Sequence, residues 1–532
     1  MGRLSAIGVC RLRTLYDISP PIPLRPITVL VGRNSVGKST FARLFPLLRQ
    51  SAAEKKRGPI LWFGDLVDYG TLSQAVTHGE TDLELILEFD DLTDKHRRGG
   101  SGPLTITEFD TPFHNGLHIE RAVVSMTMAE DATSESTYTK QLKITVAGTT
   151  ICLRMNSSAQ LEHFSVGDTP FSVEPNDTLI EQGRLLPRLI FIRHHSNEPN
   201  VLYRTRFSPW RSMATDLIHS ALHRNTSKKT AAKIASQIPV ADPDEIRQII
   251  KRLDGPPTWN NTREILARND DFIGKLVCRL IAANIEILLE MLDDIAGRSA
   301  LGVRYLKPLR ATAERYYRRA DLSVSEIDPD GHNLPMFLDS LSKNELSRFR
   351  RWLNDNLNVD VEPNREGAQV VIMAKTPNDS RQSNVADMGF GISQVLPIAA
   401  QLWLSSNRVR SRSSPTSFVV VEQPELHLHP AFQATLGSVI AAVACPKNRD
   451  DARNAPMHYT IPPRIVVETH SPHLVNRLGH LIEEGHLKPD DVSIVLFEAN
   501  ESRVGTSTAR LSKFDEQGVL LDWPFGFFEP DI

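Results

Sequence analysis

The stretch 27-ITVLVGRNSVGKST-40 begins as a run of apolar, largely β-branched residues, turns through glycines, and continues into a helical pattern with Phe41, Leu44 and Leu48 at helical spacing. Gly32 and Gly37 bracket four residues, and Lys38 and Ser39 follow, so the stretch fits G-x-x-x-x-G-K-[ST]. A strand, a glycine turn and a helix N-terminus form the context this pattern needs. The backbone N–H groups of Gly32, Arg33, Asn34, Ser35, Val36 and Gly37, together with the positive end of the helix, are suited to phosphate oxygens. Lys38 adds a point charge, the Ser39 hydroxyl can ligate Mg²⁺, and Thr40 completes the loop. The ligand predicted is a nucleoside triphosphate with Mg²⁺. Pro46 is expected to kink or shorten the helix, because its ring displaces the carbonyl one turn back.

The rest of the chain bounds what such a site serves. At 532 residues, 40% hydrophobic and 23% charged, it is an ordinary globular composition with room for two or three structural units. A net charge of −3 gives no global attraction to nucleic acid, so any such contact must use a local patch. One exists at 201–237, where Arg204, Arg206, Arg211, Arg224, Lys228, Lys229 and Lys233 face Asp216 alone, with Tyr203, Phe207 and Trp210 among them. That mixture suits phosphate contact and base stacking; it also suits the solvated face of a helical block. The four cysteines are widely spaced, which fits a reducing compartment and indicates neither a zinc ribbon nor a disulfide framework. The N-terminus lacks the apolar core of a secretion signal, and the strongest apolar run, 276–297, is interrupted by Arg279, Glu286, Glu290, Asp293 and Asp294. The expectation is a cytoplasmic protein without a membrane span.

Periodicity divides the chain into three parts. Residues 1–200 read as a lobe with the phosphate loop and, from about 80 to 175, a β-rich segment of alternating stretches such as 83-LELIL-87 and 142-LKITV-146. Residues 201–300 read as mainly helical. Within them Val277, Ile281, Asn284, Leu288, Met291 and Ile295 form a short heptad seam, better suited to a buried local helix than to an intermolecular coiled coil. Residues 301–532 return to alternating strands and helices. The fold class predicted is α/β: a mixed or parallel sheet with flanking helices, split by a helical insertion.

Three further motifs lie in the last part. In 418-FVVVEQPELHLHP-430 a buried strand ends at Glu422, where a carboxylate can hold the hydration shell of Mg²⁺ beside phosphates. In 465-IVVETHSPHL-474 a second apolar strand ends at Glu468, Thr469 and His470, which places the histidine to meet a γ-phosphate. In 387-DMGFGISQVLPI-398 a glycine pair, Gly389 and Gly391, precedes Ser393 and Gln394 at a helix start. One triphosphate rarely needs two such loops, so the second is expected to close on the nucleotide of another subunit.

This set and its order resemble the ABC-type ATPase heads of the RecF/SMC-like and OLD-like branch of AAA-family proteins. The resemblance is carried by residues 20–50 and 385–480. It implies a P-loop at Gly32–Thr40, a signature loop at Gly389, Gly391, Ser393 and Gln394, a Walker B acid at Glu422, a D-loop at His427–Pro430 and a switch histidine at His470. The segment 306-LKPLRATAERYY-317 is similar to a P-L-R stretch of several relatives, and 515-DEQGVLLDWPFGFFEPD-531 to the tail of a subgroup. An ATP-sandwich homodimer with two composite sites follows as an expectation, with higher oligomers compatible. One position departs from the family. The residue after the Walker B acid is Gln423 where a catalytic glutamate is usual, so Glu425 or Glu468 substitutes as base, or turnover is slow. Gln74 is placed only by position as the Q-loop residue. The resemblance further suggests a sensor or scaffold that controls a separate effector, such as a nuclease in antiphage defence. The rival reading is a RecF-like clamp for DNA repair, gripping DNA through 201–237. Nuclease activity in this chain itself is not expected, since only 62 residues follow His470.

Overall fold

In the computed structural model, residues 2–92, 116–173, 178–195, 198–205, 208–222, 226–320, 324–377, 379, 381–406, 416–446 and 461–523 are described. Their centre is a mixed sheet of 15 strands. Five strands run parallel in the order Val492–Ala499, Ile27–Gly32, Arg464–Glu468, Phe418–Glu422 and Val303–Leu306. The other arm of the sheet is an antiparallel meander that runs from Arg3–Leu12 through Asp82–Asp90, Arg121–Glu130, Thr137–Val146, Thr149–Met155 and Leu161–Val166 to Thr169–Phe171. The predicted class, α/β with flanking helices, is the observed one.

The parallel strands read as continuous apolar runs because both faces are covered. Leu30 belongs to one hydrophobic core, while Ile27, Val29 and Val31 belong to the other. On the first side lie the P-loop helices and the helical block. On the second lie the helices Leu334–Ser340, Lys343–Leu357, Phe390–Ser406, Pro430–Ala444 and Pro472–Glu483. Register is tight at the functional end: Glu422 pairs with Glu468, and Glu468 with Leu30. All three strands therefore deliver their C-terminal residues to one edge.

Helices of the inserted block run from Met213 to Leu301. Residues Glu198–Thr205, which the sequence reading divides between two parts, form one strand paired with Arg188–His195. The heptad seam is interrupted: Asn284 ends one helix, Asp270–Ala283, and opens the next, Ile285–Leu301, with its side-chain N–H₂ donating to the Leu280 carbonyl at 2.8 Å. Val277, Ile281, Leu288 and Ile295 are buried in the chain's own core, as the local-helix reading expects. Trp210 is also buried, stacked among Phe164, Phe171 and Phe191 with ring centroids 4.4, 5.7 and 5.4 Å away. It is thus unavailable to a nucleic-acid base, while the side chains of Tyr203 and Phe207 lie outside the described residues. Lys228 pairs with Asp216 at 2.7 Å. Of the aromatic tail, only Trp523 is described, half-buried against the second core; residues 524–532 lie outside.

Candidate functional site

The phosphate loop leaves the strand Ile27–Gly32 and enters a short helix, Lys38–Ala42. Gly37 has φ +90°, and a Cβ there would stand 2.5 Å from Leu15 Cδ2 and 2.8 Å from Thr14 Oγ1, so both its backbone angle and its neighbours require glycine. Gly32 is crowded in the same way, with the Phe497 carbonyl oxygen 2.5 Å from a built Cβ. Arg33, Asn34 and Ser35 are exposed, whereas Val36 is buried and anchors the loop. No side chain caps the helix start, so its first amides face the loop. The helix breaks at Arg43 before a second one, Leu44–Ala53. The break has the predicted cause, since Pro46 has no N–H for the Ala42 carbonyl and its ring crowds that oxygen.

Lys38 Nζ donates to the Arg33 carbonyl at 2.7 Å, within the curl of the loop. Burial lowers its pKa while the charges of Glu468 and Glu425 oppose that shift. Thr40 gives its carbonyl to the Tyr69 hydroxyl at 2.9 Å. His470 stands close enough to Lys38 to feel its charge; burial first, and that charge second, lower the imidazole's pKa and favour its neutral form. Its Nε2 is buried with no hydrogen-bond partner.

Three carboxylates converge on this edge, each held differently. Glu422 receives Arg43 Nε and Arg43 Nη2 on its two oxygens, both at 2.8 Å, and the Tyr305 hydroxyl on Oε1 at 2.6 Å. Its hydrogen bonds to Glu422 raise the Arg43 pKa, and burial raises that of Tyr305. Glu422, the acid expected beside Mg²⁺, is 1% exposed and forms a bidentate ion pair with Arg43, whose side chain is 36% exposed. Glu425, expected as a base, accepts from Thr469 Oγ1 at 2.8 Å and from the His470 backbone N–H at 2.7 Å, so it fixes the loop that presents the histidine. Glu468 accepts from Ser39 Oγ at 2.7 Å through Oε1, and its Oε2 is buried without a partner. Burial, against the Ser39 hydrogen bond, pushes the Glu468 carboxyl up to about 7. Gln423 sits at φ +43°, its N–H donating to the Glu468 carbonyl at 2.8 Å.

The signature residues split. Gly389 has φ +79°, and a Cβ there would meet nothing within 4 Å. A Cβ on Gly391 would lie 3.5 Å from the His427 carbonyl oxygen and 3.7 Å from Leu428 Cδ2, so the turn lies against His427 and Leu428 of its own chain. Ser393 and Gln394 are buried. Gln394, expected to face a nucleotide, donates from Nε2 to the Arg310 carbonyl at 3.2 Å. Arg310 is buried, its pKa lowered to about 10 by desolvation, and its Nη2 reaches the Gln423 carbonyl at 3.4 Å. Gln74, placed only by sequence position, caps the short helix Leu72–Ala75 and has no link to the site in this arrangement.

Sequence reading missed Arg43, Tyr305 and the connecting role of Arg310. A signal for Arg43 was present, since it follows Ser39 by one helical turn and so shares its face. Tyr305 carried none, because its strand joins the sheet through a pairing with Phe418–Glu422 that is distant in sequence.

Residues 215–475 match a family model described as AAA ATPase domain, a stretch just under half of the chain that takes in the helical block, the signature region, Glu422 and His470 and leaves the P-loop outside. Solved structures that the chain matches include the Smc head domain with an extended coiled coil bound to the C-terminal domain of ScpA from Pyrococcus furiosus, at TM-score 0.34 and 10% identity over 96% of each chain. Another is the SMC head domain from Thermotoga maritima, at TM-score 0.33 and 9% identity over 96% of this chain and 98% of that one. No curated protein sequence matches the chain. The family match and the phosphate loop together support an ATP-binding ATPase domain. Mg²⁺ with a triphosphate fits the donor set, since a buried carboxylate oxygen and a buried imidazole nitrogen stand without partners beside Lys38 and Ser39. Among the described residues, no helix is long and apolar enough to cross a membrane.

Proposed function

We propose that the chain is a slow Mg²⁺-dependent ATPase whose ATP-bound form closes as a sandwich of two copies and controls a separate effector protein. The observation that carries the ATPase part is the pair of unpartnered buried atoms, Glu468 Oε2 and His470 Nε2, at the edge where Lys38 and Ser39 begin the P-loop helix. Orphaned polar atoms are costly in a buried site, and a phosphate with its cation satisfies both. The loop amides and Lys38 would bind the β- and γ-phosphates, and neutral His470 would donate Nε2–H to a γ-phosphate oxygen. Bound Mg²⁺ would neutralise developing charge on those oxygens. Gln423 can orient an attacking water but cannot accept its proton, which supports slow turnover and a long-lived closed pair. The effector part rests on family resemblance, and a nuclease of antiphage defence is the class that resemblance suggests.

Lys38→Ala tests the site. It removes the one mobile cation expected at the phosphates, so calorimetry should find ATP affinity reduced by about a hundredfold or more, with the thermal melt retained. Wild-type affinity in that variant would refute the assignment. DNA binding by the purified chain that strengthens with ATP and weakens steeply with salt would favour the clamp reading over effector control.

A further inference from the structure

We infer that Glu468, and not Glu422, is the carboxylate that faces the magnesium of the bound nucleotide, and that Arg43 and Tyr305 are positioning residues that hold Glu422 out of that role. The inference deepens the ATPase reading and rests on it. It follows from where the lone pairs go. A carboxylate offers about four acceptor positions, and a hard cation or its water shell needs some of them free. On Glu422 both oxygens are engaged by the Arg43 fork, and Oε1 also accepts from Tyr305. Moving this carboxylate to a cation would break a bidentate pair whose acid is 1% exposed and whose arginine side chain is about a third exposed, and would also cost it the Tyr305 hydrogen bond. On Glu425 both oxygens are engaged by Thr469 and the His470 N–H.

Glu468 alone of the three combines contact with the P-loop serine and a free oxygen. Its side chain is 1% exposed, so water does not satisfy Oε2 from the outside. Ser39 supplies the link. Its hydroxyl donates to Glu468 Oε1, which leaves the oxygen lone pairs of Ser39 free for a cation. The strand register makes the exchange of roles possible, because Glu422 and Glu468 are direct cross-strand partners and Glu468 is on the strand next to the P-loop strand. The acid on the adjacent strand is therefore the nearer of the two in sheet order. Arg43 contributes twice, by clamping Glu422 and by standing one turn from Ser39 on the same helical face.

The test reads metal binding directly. Mn²⁺ is titrated into the full-length chain with a non-hydrolysable ATP analogue and followed by electron paramagnetic resonance. Glu468→Gln should weaken Mn²⁺ affinity by about tenfold or more, with the thermal melt near wild type. Glu422→Gln should keep Mn²⁺ affinity within about threefold while lowering the melting temperature, because Arg43 loses its charged partner. The reverse pattern, or equal losses in both variants, would overturn the assignment. If Glu468→Gln does not fold, Glu422→Gln decides alone: retained Mn²⁺ affinity supports the inference and lost affinity defeats it. Failure of the wild-type chain to bind Mn²⁺ with the analogue would overturn the ATPase reading itself, and this assignment with it.

Discussion

An amide at position 423 is the residue-scale feature on which the proposed slow turnover rests. The backbone there is in the left-handed region at φ +43°, which a non-glycine residue occupies only when its surroundings hold it. They do so through main-chain atoms: the Gln423 N–H donates to Glu468, and its carbonyl accepts from Arg310. A change of side chain should therefore leave the loop in place. If Gln423 orients the attacking water as proposed, Gln423→Glu puts a proton acceptor there, and single-turnover hydrolysis should rise by a factor on the order of 10² to 10⁴ with ATP affinity little changed. Rapid-quench kinetics at saturating enzyme measure this. A rate equal to wild type would show that proton removal is not limiting, and the account of a slow, persistent closed state would fail with it.

At the scale of elements, the core of the fold was legible because buried parallel strands announce themselves. Phe418–Val421 and Ile465–Val467 are unbroken apolar runs, and Ile27–Val31 is broken only by Thr28; all three are followed by glycine or acid, a pattern that covered faces impose. What each acid does was not legible, since the partners of Glu422 come from 379 and 117 residues away. Spacing cannot express such contacts. The strand Glu198–Thr205 was hidden for another reason: it opens on Glu198, Pro199 and Asn200, which read as a loop, and its strand-forming residues 201–205 fall next to a basic, mainly helical stretch. Trp210 shows the cost of reading composition alone, because an aromatic among cations suggested stacking on bases whereas it is 3% exposed. It ties the helical block to the strands of Phe164 and Phe191. Trp210→Ala should lower stability by about 3–5 kcal/mol in urea unfolding and leave ATP affinity intact in the folded fraction. Unchanged stability with lost affinity for DNA would return this segment to the nucleic-acid reading.

Across the whole molecule, the two motif regions that the proposed closed pair would require are tied together through packed groups within one chain. From the signature helix, Gln394 holds the Arg310 carbonyl; Arg310 reaches Gln423; and Gln423 hydrogen-bonds to the strand that carries Glu468 toward Ser39. A ligand that pulls on the signature turn would thus bear on the residues around the P-loop of the same copy, which gives a physical route for one site of a sandwich to affect the other. The turn itself is built to be approached: Gly389 is exposed, and the space beyond its Cα is open. Gly389→Asp uses that opening. Aspartate is among the few side chains that tolerate φ near +79°, so the turn should survive. Its charge would point to where a second copy's triphosphate must dock, and like charges at such a contact cost enough to weaken closure by at least about tenfold. Analytical ultracentrifugation with ATP should then show wild type shifting to a dimer while Gly389→Asp stays monomeric and still binds one nucleotide per chain. Persistence of the ATP-driven dimer in this variant would mean that the glycine turn does not meet the partner's nucleotide, and the sandwich arrangement would have to be abandoned for another interface.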